Sequence, residues 1–534
     1  MATQLNDWLS IDKISGTGNA EITLTASSYS ELVDRAASIK IQAQTTNAIL
    51  NVRQNALVPS ATLDSYEITT YGGGTYTNGI TSNVPWTAVV NGNWITIDKT
   101  QGQSGYTTLS IILDDPTEAR NGSIVFNAEG VVLTLQIYQI YDLKKSYFWV
   151  EFEEANGTIS GLTNTYTDMY HSFDGITWLT TPNTLSMGDN TLVYFKNNSK
   201  KIPNLNIKFN SNAKIGGDMS SIVDMAENCC KDIFDGNTFI TDASELILPW
   251  TTLANGCYGM MFQGCTSLTT APVVLPATTL ANGCYGMMFQ GCTSLTTAPV
   301  VLPATTLTKE CYRGMFKNCT SLTKAPELPA TTLAERCYYG MFEGCSSLVN
   351  APTLPATTLA GYCYYQMFSG CSSLVSAPEL PATTLAEWCY GDMFYICESL
   401  VIAPALPATT LADNCYKGMF AVCKSLVYAP SILPATTLAN GCYYNMFITC
   451  LSLKKAPKLP ATTLVGGCYH NMFMDCKSLN YIKMLAINYR YDSLEGWTKN
   501  VASSGTFIKH PDAANPPRGD SGIPHGWKVE TATS

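Results

Sequence analysis

The sequence predicts a mainly β protein: tandem β-sandwiches, then a solenoid with one short strand and one short helix per repeat, then a C-terminal cap. Three observations lead there. A unit of 26 or 27 residues recurs nine times, its leading Pro at 249, 276, 303, 329, 355, 381, 407, 434 and 460. From Ser65 to Tyr141, short alternating segments are bounded by Gly, Asn and Pro. Charged residues make up only 13% of the 534, against about 25% in a typical globular chain, leaving Thr, Ser, Asn, Gly and Tyr to carry the polarity, as in β-rich extracellular-type proteins.

Residues 59–141 read as an antiparallel sandwich, because VPWTAVV, NWITIDKTQGQSG, TTLSIILDD, RNGSIVFNAEG and VVLTLQIYQ alternate apolar and polar residues between turn residues. Residues 1–58 repeat the later half of that pattern: Trp8-Leu9-Ser10-Ile11, Arg35 to Ile41 and Ile49 to Gln54 correspond to later strands, and nothing corresponds to the first ones. A sandwich without its first strands has an open edge, so this partial module is either trimmed or completed by a partner chain. Residues 142–228 form a third sandwich-like unit, where YHSFDGITWLTTPNTLSMGDNTLVYFKNN alternates around Asp-Gly and Gly-Asp turns.

Residues 229–484 hold nine copies of LPATTLAxxCYxxMFxGCxSLxxAP behind a degenerate leading copy marked by Cys229, Ile233, Phe234 and Gly236. Self-similarity at a fixed period means that each copy packs on its neighbours. Cys337, Met341, Phe342 and Cys345, at i, i+4, i+5 and i+8, fit one face of a two-turn helix. The Pro-bounded segment after Ser-Leu fits a short strand. Copies one and two are identical over Thr251 to Leu275 and Thr278 to Leu302, which indicates recent duplication.

Eighteen of the 20 Cys occupy two fixed positions of the repeat. Eight residues on a helix span about 12 Å, beyond the roughly 7 Å Cα limit of a disulfide, which excludes bridges within a copy. Bridges between copies need a closer approach than the usual helix separation of about 8–10 Å. The expectation is a ladder of buried reduced thiols acting as small hydrophobes. No CxxC occurs and His470 is the single His of the array, which disfavours a metal site.

These motifs carry two resemblances. MFxGCxSL resembles leucine-rich repeats of the BspA type, found in surface proteins of gut Bacteroidetes and in virion proteins of their phages, crAss-like phages among them; 485–534 resembles that family's C-terminal cap. Trp86, Asn93-Trp94-Ile95, Gly102 to Gly105, Arg120-Asn121-Gly122-Ser123-Ile124 and Gln139 resemble the BACON domain, and residues 1–58 its second half. The resemblances imply immunoglobulin-like, carbohydrate-binding sandwiches ahead of a leucine-rich-repeat solenoid.

Positions that vary among copies face solvent. Of the two variable residues after Ser-Leu, alternation points the first inward and the second outward. The outward series is Thr270, Thr297, Lys324, Asn350, Ser376, Ile402, Tyr428, Lys455 and Tyr481. Lys324, Asn350, Tyr428, Lys455 and Tyr481 are its candidate ligand-binding residues, against the alternative of a merely solvated face. Trp86 and Trp94 are candidates for stacking on sugars, with core packing the competing role. Arg518-Gly519-Asp520 spells an integrin tripeptide, for which chance is the stronger explanation.

The net charge of −10 excludes a basic footprint for nucleic acid. No leader pattern stands in the first thirty residues and no apolar run reaches a membrane span, so neither signal nor anchor is expected. The four His, at 171, 470, 510 and 525, fall in no HExxH, GxSxG or P-loop pattern. The adjacent acids Asp114-Asp115 and Glu153-Glu154 diverge rather than converge on a bond. The expectation is a binding protein, neither an enzyme nor a holder of cofactors or metals. The first reading is a phage virion appendage, a head or tail fibre component made in the host cytoplasm and exposed on the particle. It docks on other virion structural proteins through residues 1–58 and adheres to gut glycans or host surface proteins, with self-association open. The alternative is a secreted bacterial cell-surface adhesin for carbohydrate or host matrix protein.

Overall fold

A computed structural model describes all residues except 1, 4–6, 14, 19–20, 30, 43–45, 71–72, 115–118, 140, 163–167, 200–204, 515–516 and 534. Asp115 therefore lies outside the described residues. The chain forms two units, Met1–Asp142 and Leu143–Ser534.

In the first unit the alternating segments form strands. The partial module contains β1 (Ala2–Thr3), β2 (Leu9–Ile11), β3 (Leu24–Ala26), β4 (Arg35–Gln42) and β5 (Asn47–Gln54). The complete one contains β6 (Ala61–Leu63), β7 (Glu67–Thr70), β8 (Gly74–Ser82), β9 (Trp86–Asn91), β10 (Ile95–Ile97), β11 (Gln101–Gly102), β12 (Gly105–Leu113), β13 (Arg120–Ala128) and β14 (Val131–Gln139). In the complete module the sheets β10-β12-β8-β6 and β11-β9-β13-β14-β7 enclose Ile80, Trp86, Leu109, Ile111, Ile124, Phe126, Leu135 and Ile137. The motif glycines give the tryptophans room. A Cβ on Gly102 would lie 2.5 Å from the Trp86 indole, and one on Gly122 would lie 3.0 Å from Trp94 and 2.5 Å from Ile95. Arg120 lies 4.5 Å over the Trp94 ring, and its Nε donates to Gln139 at 2.7 Å.

The partial module reproduces that detail. Arg35 lies 4.5 Å over the Trp8 ring and donates through Nε to Gln54 at 3.0 Å. In the complete module β12 is flanked by β8 and β14 by β7; among the described residues the counterparts β3 and β5 have no strand on those edges. Its core is correspondingly small: Leu9, Ala37 and Ile39, with Ile49 left 66% exposed.

The second unit starts with a six-stranded sheet in the order Leu179–Thr180, Met169–Ser172, Leu192–Asn197, Phe148–Phe152, Ala213–Asp218, Ile240–Ile247. Its last strand pairs in parallel, and Asp242 within it bridges to Thr270 of the first copy. The core accordingly runs without interruption from Phe148 to Trp527.

Within each copy the structure replaces the expected two-turn helix by a ribbon of consecutive turns. The amides of Cys257, Gly259, Met261, Gln263 and Cys265 bond back three residues. The intervening amides of Tyr258, Met260, Phe262 and Gly264 reach carbonyls of the next copy at 2.7–2.9 Å. Half of the amides thus leave the segment, so no i to i−4 ladder forms. Every fourth residue, Gly256, Met260 and Gly264 in the first copy, takes positive φ, the value that the second central residue of a type II turn requires. The ribbon has a period of four, which over eight residues selects the same inward positions as a helix of 3.6. Cys257, Tyr258, Met261, Phe262 and Cys265 all point inside.

Stacked copies turn these positions into ladders. Rings from Phe262 to Phe473 stack at 5.4–5.7 Å. Those from Tyr258 to Tyr469 stack at 5.4–5.8 Å. All twenty thiols are free and buried. The second Cys of each copy donates its S–H to the Phe carbonyl of the preceding coil, as Cys345 does to Phe316 at 3.0 Å. At the C-terminal end Trp497 covers Tyr469 and Phe473, and its indole N–H donates to Gly522 at 2.8 Å. Tyr481–Lys483, Gly505–Lys509 and Trp527–Thr531 continue the parallel ladder there.

Two outcomes follow from this packing. Phe342→Ala, in mid-ladder, should cost about 3–5 kcal/mol by chemical denaturation, because neither stacked neighbour can close the gap. Alkylation should label few thiols in the native chain and nearly all twenty after unfolding. Burial lifts the Cys345 and Cys423 thiols from 9.0 to about 12. Folded thiols keep their protons where unfolded ones lose them, so stability is full below pH 9 and falls as pH rises toward 12. A melting temperature that stays flat from pH 8 to 11 would contradict the ladder.

Candidate binding surface

The second variable residues after Ser-Leu lie in register, as expected. Single parallel bridges join Lys324 to Asn350 and Asn350 to Ser376, and run from Ile402 through Tyr428 and Lys455 to Tyr481. Tyr428 is 61% exposed. The first variable residues, expected inside, are exposed as well: Thr269, Thr296, Thr323, Val349, Val375 and Val401 all face solvent. The inward places belong to Leu268 and Ala271, three apart, and both residues between them lie on an outer corner held by one bridge rather than on an alternating strand. The Lys455 ammonium sits 5.0 Å from the Tyr481 ring centroid.

The other sequence candidates sit elsewhere. Trp86 and Trp94 are buried in the sandwich core, which leaves neither ring face to solvent. The Arg518 guanidinium donates to the carbonyls of Pro524 and Trp527 at 2.9 and 2.8 Å, tying the Arg-Gly-Asp turn into the cap.

A second surface, absent from the sequence candidates, lies on the turn ribbons of copies three to six. The residue before the first Cys of each copy takes positive φ. It is Gly256, Gly283, Asn414, Gly441 and Gly467 in five copies, yet Glu310, Arg336, Tyr362 and Trp388 in these four. Left-handed backbone costs a residue with a Cβ roughly 1–2 kcal/mol. Two residues after the same Cys stand Arg313, Tyr339, Tyr365 and Gly391. Reading the segment as a two-turn helix hid these columns; comparing the copies for bulky residues in a Gly/Asn position would have exposed them.

The two columns enclose a shallow groove of about 330 Å³ lined by Arg313, Arg336, Tyr339, Tyr362, Tyr365 and Trp388. Tyr362 stacks on Trp388 at 5.9 Å, Tyr365 meets the Trp388 edge at 5.6 Å, and Tyr339 lies 5.0 Å from Tyr365. The guanidiniums of Arg313 and Arg336 approach the Tyr339 and Tyr362 rings at 5.4 and 5.1 Å. Gly391 leaves space for this assembly, since a Cβ there would fall 2.9 Å from Tyr365 and 3.0 Å from Trp388.

Charges in the groove are balanced. Arg313 pairs with Glu310 at 3.3 Å, and Arg336 with Glu335 at 3.0 Å and Glu310 at 3.6 Å. The Tyr365 hydroxyl donates to Asp392 at 3.1 Å; burial raises both the Asp392 carboxyl and the Tyr365 phenol. Lys417 extends the line, 4.6 Å from Trp388 and 4.8 Å from Tyr444, which stacks on His470 at 4.5 Å.

Two segments, 3–55 and 84–139, match the BACON family, whose description reads "Putative binding domain, N-terminal". No curated protein matches the chain. Among solved structures, a Bacteroides ovatus GH5 xyloglucanase in complex with a XXXG heptasaccharide is similar at 15% identity and a TM-score of 0.16, over 17% of this chain and 20% of that one.

Gly391→Ala should force Trp388 and Tyr365 apart while the ladders beneath remain. The expected result is a modest stability loss of about 1–3 kcal/mol, with a changed tryptophan emission that Trp388→Phe removes.

Proposed function

We propose that the chain is a non-enzymatic adhesin displayed on a bacterial cell surface, binding carbohydrate or host matrix protein through BACON-like immunoglobulin sandwiches and a BspA-type leucine-rich-repeat solenoid. The observation that carries this reading is the pair of BACON segments, one complete and one partial, ahead of a stacked array that presents side chains at a fixed interval. The MFxGCxSL motif and the inward Leu268, Leu275 and Leu280 support the leucine-rich assignment. A binding role also suits the groove, whose acids are held by arginines or by a tyrosine hydroxyl rather than aimed jointly at one point. Among the described residues no helix is long and apolar enough to cross a membrane.

The second reading, a phage virion appendage, draws on the edges of β3 and β5 that carry no strand among the described residues, which a strand from another virion protein would complete.

The full chain should bind gut polysaccharides, mucin or host matrix protein and release no reducing sugar from any glycan. Antibodies against it should label bacterial cells; label confined to purified phage particles would move the protein to the second reading. Release of sugar from a polysaccharide would refute the non-enzymatic one.

A further inference from the structure

We propose that the aromatic groove of copies three to six binds a neutral, hydroxyl-rich polysaccharide chain lying along the stacking direction, an inference that rests on the adhesin reading above.

The first support is backbone conformation. Arg336, Tyr362 and Trp388 have φ of 55°, 56° and 55°, at a position where five of the other six copies carry Gly or Asn and copy three carries Glu310. The turn ribbon imposes this conformation elsewhere too, on Met260, Met287, Ile396, Val422 and Thr449, so what sets Arg336, Tyr362 and Trp388 apart is that their side chains converge on one groove. Three successive copies accept this conformation, and all three side chains line the same groove. Gly391 is the matching concession: its missing Cβ is what lets Tyr365 and Trp388 meet.

The ligand class follows from the groove's chemistry. Parallel coils advance by about 4.8 Å, close to the advance of one pyranose ring along an extended chain. The rings of Tyr339, Tyr362, Tyr365 and Trp388 are distributed over three coils and so offer apolar contact to successive sugars. Arg313 and Arg336 already carry carboxylate partners, so a polyanion gains little attraction and must displace those pairs. Sugar hydroxyls both donate and accept: they accept from the lining Arg313 and Arg336 and donate to the Glu310 and Glu335 carboxylates paired with them, so the pairs need not break. A proline-rich peptide, the other usual occupant of an aromatic groove, supplies carbonyl acceptors but lacks backbone donors for those carboxylates at its prolines.

The test uses the full chain and three variants. Tyr362→Gly with Trp388→Gly installs the residue that copies one, two, eight and nine already carry. Tyr362→Phe with Trp388→Phe keeps the rings. Tyr428→Ser with Lys455→Ser and Tyr481→Ser removes the exposed edge of the other surface. Affinity is measured for galactomannan, arabinoxylan and amylopectin, for the polyanion polygalacturonate, and for a polyproline peptide. The expected result is binding of at least one neutral polysaccharide, lost at least tenfold in the glycine variant and kept within threefold in the other two. The melting temperature of the glycine variant should equal or exceed that of the parent, since its strain is relieved.

Wild-type affinity in the glycine variant, beside a bound polysaccharide, overturns the groove site and leaves the adhesin reading intact. Loss in the edge variant alone moves the site to the Tyr428 ladder. Preference for polygalacturonate or the peptide overturns the ligand class. Failure of the parent chain to bind any glycan, mucin, matrix protein or cell removes the adhesin reading and this inference together.

Discussion

Everything in the repeat array depends on where alternate amides point. In each copy one amide closes a turn and the next crosses to the following coil, so local and stacking hydrogen bonds come from the same short segment. A helix would have kept every amide for itself and left the copies to associate by side chains alone. Because the backbone instead fixes the coil spacing, each inward residue meets its own equivalent above and below. The Phe, Tyr and Cys ladders follow from that spacing.

Much of this was legible in the residues. Fixed Cys and Phe positions marked what lies inside, and the burial of all twenty thiols accords with reading them as small hydrophobes. The alternating strands around Trp86 and Trp94 located the complete sandwich, while the structure adds why Gly102 and Gly122 accompany them. The turn ribbon was not legible because periods of 3.6 and 4 coincide over eight residues. Only the positive φ values at positions such as Asn414, Asn445 and Asn471 separate the two, and those depend on backbone pairing with a neighbour. The same dependence explains the misplaced Thr269 and Val375: inward alternation presumes a strand several residues long, whereas the array makes single bridges.

The groove was invisible for a different reason. Its residues are variable, and variability alone assigned them to solvent. Their meaning comes from a left-handed column that five of nine copies fill with Gly or Asn, so that Tyr362 and Trp388 are costlier choices there. By contrast, Tyr428 and Lys455 stand on an exposed corner that makes no such demand on the backbone. The two surfaces are thus distinguished by what the chain gives up to build them.

The stacking bonds also set how the array would respond to load. They run along the stacking direction, so tension between its first and last coils bears on one rung at a time rather than shearing many together. The coil at the end yields first, and each one released lets out 26 or 27 residues, roughly 90 Å of slack. An array of this design gives way in steps of one coil rather than all at once, because each coil is held to the next by its own set of amides.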